Sequence, residues 1–236
     1  MLYTRGEVKE QARVLMNSLG TEWLTDSQMN VLADQANELV YRDIVNHCPD
    51  MVTNTTAFTF PSSITSIDLS SPSYLGEVPM RIKTVEDTMR QGPYAPTNWV
   101  RQWEMTHYDE MLRYRSTRSG FQNPQTGMMP KLLYCIDQAN LLIAPAQSLV
   151  LNCRIRWIPY LHKMTADSDA VLNGFASQFG QHVGYALAHL SNVRQGGANQ
   201  AITQQYMEAR ENIMSTANER TRGPQLVHNS RMEQFR

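Results

Sequence analysis

Residues 132–161 read LLYCIDQANLLIAPAQSLVLNCRIRWIPYL, and this stretch decides the fold class. Leu149, Leu151, Cys153, Ile155 and Trp157 alternate with polar Asn152, Arg154 and Arg156, the period-two pattern of a strand with one buried face. Turn-forming residues at Asp137–Asn140 and Ala144–Ser148 divide the stretch in three, which predicts a β-meander. Upstream, Thr56–Phe60 alternates threonine with Phe58 and Phe60 before a Pro61-Ser62-Ser63 turn, and Ile64, Ile67 and Leu69 suggest a second short strand. Met80 to Lys83 suggest a third. Residues 86–126, rich in Gly, Pro, Trp and Tyr, carry one helical stretch, Thr106 to about Ser116.

Both flanks change to helical period. Thr4-x-x-Glu7 and Thr25-x-x-Gln28 are capping boxes, in which a threonine oxygen accepts from an orphan helix N–H and the Glu or Gln reaches back. The first opens a helix carrying Val8, Ala12, Leu15 and Leu19 and stopped by Gly20. The second opens one carrying Met29, Leu32, Ala33, Ala36, Leu39, Val40 and Ile44 and ended by Pro49, with Trp23 stapling the pair. From Asp167, the residues Leu172, Phe175, Phe179, Val183, Ala186, Leu187 and Leu190 predict a third helix, broken at Gly196-Gly197. Ile202, Tyr206, Ala209, Ile213 and Ala217 predict a fourth. Two helices alone bury little, so the pairs from the two ends are expected to meet. The expected fold is α+β: a four-helix bundle from residues 1–50 and 165–217, an inserted antiparallel β lobe over 51–164, and an extended C-terminal arm over 218–236.

Composition bounds the function. Of 236 residues, 42% are hydrophobic and 18% charged, so a packed core is expected and wholesale disorder is not. The N-terminus has charges where a signal peptide needs an apolar stretch, and no run approaches a membrane span. Cys48, Cys135 and Cys153 lack metal-ligand spacing and fit reduced thiols of a cytosolic setting. Net charge is −1 but uneven: −4 over residues 1–50, +2 over 81–118 and +3 over 119–164.

Chemistry-bearing motifs are few. His182 and His189 are seven apart on a helix, about 10.5 Å along the axis and too far for one metal. Asp167 and Asp169 stand where carboxylates serve a helix cap. There is no phosphate loop, dinucleotide fingerprint, G-x-S-x-G or H-E-x-x-H, and the chain calls for no cofactor and no catalytic residue. Gly174, Gly180 and Gly184 each cost a helix about 1 kcal/mol against alanine, which usually means that another backbone comes close. The spacing leaves open whether that neighbour lies within the chain or in another subunit. Residues 97–118 interleave Trp99, Trp103, Tyr108 and Tyr114 with Arg101, Arg113, Arg115 and Arg118, a composition that suits core anchors, an interface or the stacking of single-stranded nucleic acid.

The order of elements resembles the head-to-tail adaptor (connector, or neck) proteins of tailed bacteriophages, especially short-tailed ones. The resemblance is carried by TDSQMNVLADQANELVYRDIVNHCPDM followed by TNTTAFTFPSSITSIDL, and by PKLLYCIDQANLLIAPAQSLVLNCRIRWIPYLHKM, over roughly residues 4–215. Ala146 stands where a second proline often occurs, and residues 84–126 exceed the family minimum. The resemblance implies a structural virion protein without a catalytic step: a ring, usually dodecameric, under the portal, joining the DNA-filled capsid to tail or nozzle proteins and passing DNA through its lumen. It implies localisation to the virion neck after assembly in the host cytoplasm, and no membrane partner. It further implies a portal-binding arm with Leu226, Val227, Met232 and Phe235 as apolar anchors and Arg220, Arg222 and Arg231 pairing portal carboxylates. Trp99, Arg101, Trp103, Arg113 and Arg115 would then face tail components or, as the alternative function, bind single-stranded nucleic acid. An enzyme with an unrecognised site in the β lobe is the third reading.

Overall fold

A computed structural model describes residues 2–17, 24–60, 65–89, 99–102, 104–111, 133–144, 151–197 and 199–222. The chain is α+β, with helices, two β-sheets, and two compact units: Met1–Val52 with Leu161–Arg236, and Thr53–Tyr160. Expectations placed on Leu19, Gly20, Trp23, Pro61–Ile64, the Ala144–Ser148 turn beyond Ala144, Trp103, Arg113, Arg115 and residues 223–236 lie outside the described residues.

The helical unit contains α1 (Arg5–Asn17) and α2 (Asp26–His47). Both capping boxes form. Thr4 N–H donates to Glu7 Oε2 at 2.8 Å and Glu7 N–H to Thr4 Oγ1 at 3.3 Å; Thr25 and Gln28 make the same reciprocal pair. Val8, Ala12 and Met16 bury one face of α1, and Met29, Leu32, Ala33, Ala36, Val40 and Ile44 bury one face of α2.

The predicted third helix does not begin at Asp167. Residues Val171–Gly174 and Ser177–Phe179 form two short 3-10 turns, because Leu172, Asn173, Gly174 and Ala176 all have positive φ, between 48° and 74°. Tertiary hydrogen bonds override the local period: Val171 N–H donates to the Tyr3 carbonyl, and Leu172 N–H to the buried Asn37 Oδ1, both at 2.9 Å. The regular helix, α4, runs only over Gly180–Arg194. Glycines 196 and 197, at φ +106° and +72°, end it. Asn199 Oδ1 then caps α5 (Gln200–Arg222) by accepting from Ala201 N–H at 2.8 Å. Among the described side chains of α5 the buried ones are Ile202, Ala209 and Ile213, a narrow stripe on a long helix. The helix includes residues 218–222, so the arm expected from 218 is helical for its first five positions.

Gly174 therefore lies outside any α-helix, at φ +74°. Gly180 and Gly184 sit in α4 against the N-terminal segment of the same chain: a Cβ on Gly180 would stand 2.4 Å from the ring of Tyr3, just before α1, and one on Gly184 2.4 Å from Oε1 of Gln11 in α1. The two contacts differ in kind. Tyr3 meets Gly180 with its Cβ and ring root, and its carbonyl holds Val171, whereas Gln11 offers a swinging amide end. Gly180→Ala is expected to cost about 1–3 kcal/mol by overpacking. Gly184→Ala is expected to be neutral or stabilising by up to about 1 kcal/mol through helix propensity. Urea titrations of the two variants check this; equal losses would contradict the distinction.

The β unit holds strands β1 (Asn54–Phe60), β2 (Ser66–Asp68), β3 (Pro79–Met89), β4 (Trp99–Gln102), β5 (Glu104–Met105), β6 (Leu133–Asp137), β7 (Asn140–Ala144) and β8 (Leu151–Pro159), plus a one-turn helix α3 (Pro72–Leu75). They form two four-stranded sheets, ordered β1-β8-β3-β4 and β2-β7-β6-β5. The predicted meander is thus divided: β6 and β7 pair as a hairpin, while β8 lies in the other sheet between β1 and β3. One pair, β5 with β6, is parallel, so the lobe is not purely antiparallel.

The reason is burial. Ile67, Leu141, Ile143 and Tyr134 from one sheet meet Ile82, Val85, Cys153, Ile155 and Trp157 from the other in a single apolar cluster. Leu133, Cys135, Leu142 and Ala144 point to the opposite face and pack with Met111, in a helical turn at 108–111. Because β7 is covered on both faces, residues 141–144 are continuously apolar, whereas β8 alternates. Cys135 and Cys153 consequently belong to different clusters, and all three cysteines are buried thiols.

Candidate docking surfaces

The start of α1 carries a charge cluster that the sequence reading missed, its two cations buried and its carboxylate, on Asp167, 57% exposed. Arg5 and Lys9, 6% and 4% exposed, share the α1 face of Val8 and Ala12, and both reach Asp167. Arg5 Nε donates to Asp167 Oδ1 at 3.0 Å, while Nη1 and Nη2 donate to the Met164 and Thr165 carbonyls at 3.0 and 3.1 Å. Lys9 Nζ donates to both Asp167 oxygens at 3.1 Å and to Asn30 Oδ1 at 2.9 Å. Asp167 is thus an ion-pair partner and not a helix cap. Hydrogen bonds from Lys9, then Arg5, hold its carboxyl below the usual carboxylate range. Asp169 Oδ2 instead accepts from the Ala166 and Thr165 backbone N–H groups, at 2.8 and 2.6 Å, which lowers its pKa as well. The available signal was the i, i+4 placement of two cations on an apolar face, which demands an anion elsewhere in the fold.

This cluster changes the meaning of the acidic N-terminal region. Two of its four cations are internal, and Arg13 and Arg42 pair with Glu10, Asp26 and Glu38 on the surface. The exposed side chains Glu7, Glu10, Asp26, Glu38 and Asp50 therefore dominate what α1, α2 and the turn after them offer to solvent. On α5, Arg210 clasps Asp43 of α2, with Nε–Oδ2 at 2.7 Å and Nη2–Oδ1 at 3.2 Å. Its outward side presents Met207 and Met214, 50% and 38% exposed.

His182 and His189 are not a pair. His182 is 8% exposed, edge-on to Phe179 at 5.2 Å between centroids, and neither ring nitrogen has a hydrogen-bond partner. His189 stacks on Tyr206 at 4.6 Å. Burial lowers both pKa values, so folding favours the neutral rings. Each native ring binds protons less readily than the unfolded one, so stability is fully present above about pH 6.5 and is lost as pH falls through the native pKa. His182→Leu is expected to shrink the difference between urea midpoints at pH 7.5 and pH 5.0; an unchanged difference would exclude His182 as its source.

Among the described residues no three His, Cys, Asp or Glu side chains gather closely enough to hold a metal ion, and no helix is long and apolar enough to cross a membrane. Of the aromatic–arginine segment, Trp99 and Arg101 lie on β4, an outer strand of its sheet, and Tyr108 is 45% exposed in the helical turn at 108–111. Trp103, Arg113 and Arg115 lie outside the described residues, as do Leu226, Val227, Arg231, Met232 and Phe235; Arg220 and Arg222 fall in the last turn of α5.

These features define an α+β protein whose distinctive surfaces are an acidic helical face, a long exposed terminal helix and an outer β-strand. No protein-family model matches the chain, and no curated protein matches it significantly.

Proposed function

We propose that the protein is a head-to-tail adaptor of a tailed phage, a structural virion component without catalytic activity. The N- and C-terminal helix pairs form a four-helix bundle, which serves as the base of a dodecameric ring beneath the portal. The β unit reaches tail or nozzle proteins, and residues beyond α5 bind the portal. What supports this reading is the division of the chain: both termini build one unit, and the whole of Thr53–Tyr160 is inserted between them as another. The exposed acidic side chains of α1 and α2 suit a lumen through which DNA passes without sticking, since like charge repels phosphate. The exposed α5 suits a support for the binding arm that follows it.

Free subunits are monomers, and many weak contacts act together once the portal supplies the symmetry. Truncation after Arg222, where α5 ends, separates the arm from the fold. The shortened chain is expected to keep its circular dichroism and melting temperature yet fail to cosediment with DNA-filled, tailless capsids. Normal docking would remove the arm from the proposal, and failure of the full-length chain to bind such capsids would remove the adaptor reading. Fluorescence anisotropy with a labelled single strand tests the alternative, which requires binding with a steep salt dependence.

A further inference from the structure

At one end of the β unit, a groove of about 240 Å³ opens between the two sheets. One wall is the start of β3 beside the end of β8, where Pro79 pairs with Pro159; the other is the β6–β7 turn and the residue following β2. Its floor is Leu69 and Ile82, 3% and 6% exposed members of the inter-sheet core. Its rim is Val78, Met80 and Tyr160, exposed at 43%, 42% and 55%. The core is thus continuous with an apolar surface here, where a sandwich end is ordinarily closed.

Two features give the groove a chemistry. The register of β3 against β8 slips between Pro79 and Arg81 and again between Ile82 and Thr84, and such bulges re-aim side chains. Met80 falls within the first slip and stands on the rim. Among the described residues Arg81 is the one charged side chain lining the groove, and no carboxylate pairs with it. The volume falls short of the roughly 300–1,000 Å³ typical of small-molecule pockets, but it admits one or two side chains of a bound segment.

We propose that this groove docks an extended peptide segment of a partner protein, one that carries an apolar side chain next to a carboxylate. The apolar group covers Leu69 and Ile82 between Met80 and Tyr160, and the carboxylate pairs with Arg81, which fixes the direction of the segment. Binding requires only the β unit, so it stands or falls separately from ring formation at a portal.

The test uses the full chain labelled at its methionine methyl groups and the peptide acetyl-Gly-Leu-Phe-Asp-Asp-Gly-amide. The Met80 methyl resonance is expected to shift and saturate, while those of Met105, Met207 and Met214, also exposed, stay in place. Arg81→Glu is expected to weaken binding about tenfold or more, and a peptide with both aspartates replaced by lysine is expected not to bind. A silent Met80, parallel shifts at all four methyls, or an affinity untouched by Arg81→Glu would each overturn the proposal. A Met80 shift that grows with protein concentration alone would place a second copy in the groove and overturn it equally.

Discussion

Trp157→Ala is expected to cost the β unit about 3–5 kcal/mol, the range for removing a large aromatic side chain from a packed core. Trp157 is 2% exposed and belongs to the cluster both sheets share. Its indole Nε1–H also donates to Thr56 Oγ1 of β1 at 3.0 Å, so the same side chain fills the interior and ties β8 to its neighbour. Hydrogen exchange followed by mass spectrometry reads the effect locally. Peptides from 133–144 and 151–159 are expected to lose protection, while those from α2 keep theirs, because that helix belongs to the other unit. Equal loss across both units would mean that they unfold as one. Trp157→Phe retains most of the volume and is expected to cost less, about 1–2 kcal/mol, chiefly for the lost hydrogen bond.

Arg5→Ala is expected to cost the helical unit about 3 kcal/mol. It removes three hydrogen bonds from a charged group and leaves the Met164 and Thr165 carbonyls without that donor. Arg5→Lys is not expected to restore the loss, since an ammonium cannot reach a carboxylate and two carbonyls with the planar fork that guanidinium supplies. Acid exposes the same cluster from the other side. Asp167 and Asp169 have native pKa values below their unfolded ones, so their contribution is present above about pH 4 and disappears as pH falls through the native values. Urea midpoints taken between pH 6 and pH 2.5 should therefore fall more steeply in the wild type than in Asp167→Asn, whose amide does not titrate. Parallel profiles would show that the cluster does not govern acid unfolding.

The legible parts of this fold are those whose forces are local. Thr4 with Glu7 and Thr25 with Gln28 satisfy helix N–H groups within one turn, and both boxes form as read. The alternation of Cys153, Ile155 and Trp157 records a strand buried on one side, and the two-residue turn between Asp137 and Asn140 joins a hairpin. Nothing comparably local marks the docking groove: Leu69, Met80 and Tyr160 meet only because β2 and β8 end where β3 begins.

The α+β class, the starts of α1 and α2 and the change of period from helix to strand and back are all legible in the local order of residues. Contacts between distant residues settle that 171–179 kink instead of extending α4, that β7 and β8 join different sheets, and that Asp167 answers Arg5 and Lys9. In each case the deciding partner is distant: Asn37 is 135 positions from Leu172, and Asp167 is 162 from Arg5. A periodic pattern reports which face of an element is buried. It carries no record of the partner that buries it, because an apolar contact is non-directional and a hydrogen bond to a remote side chain leaves no repeat in the chain.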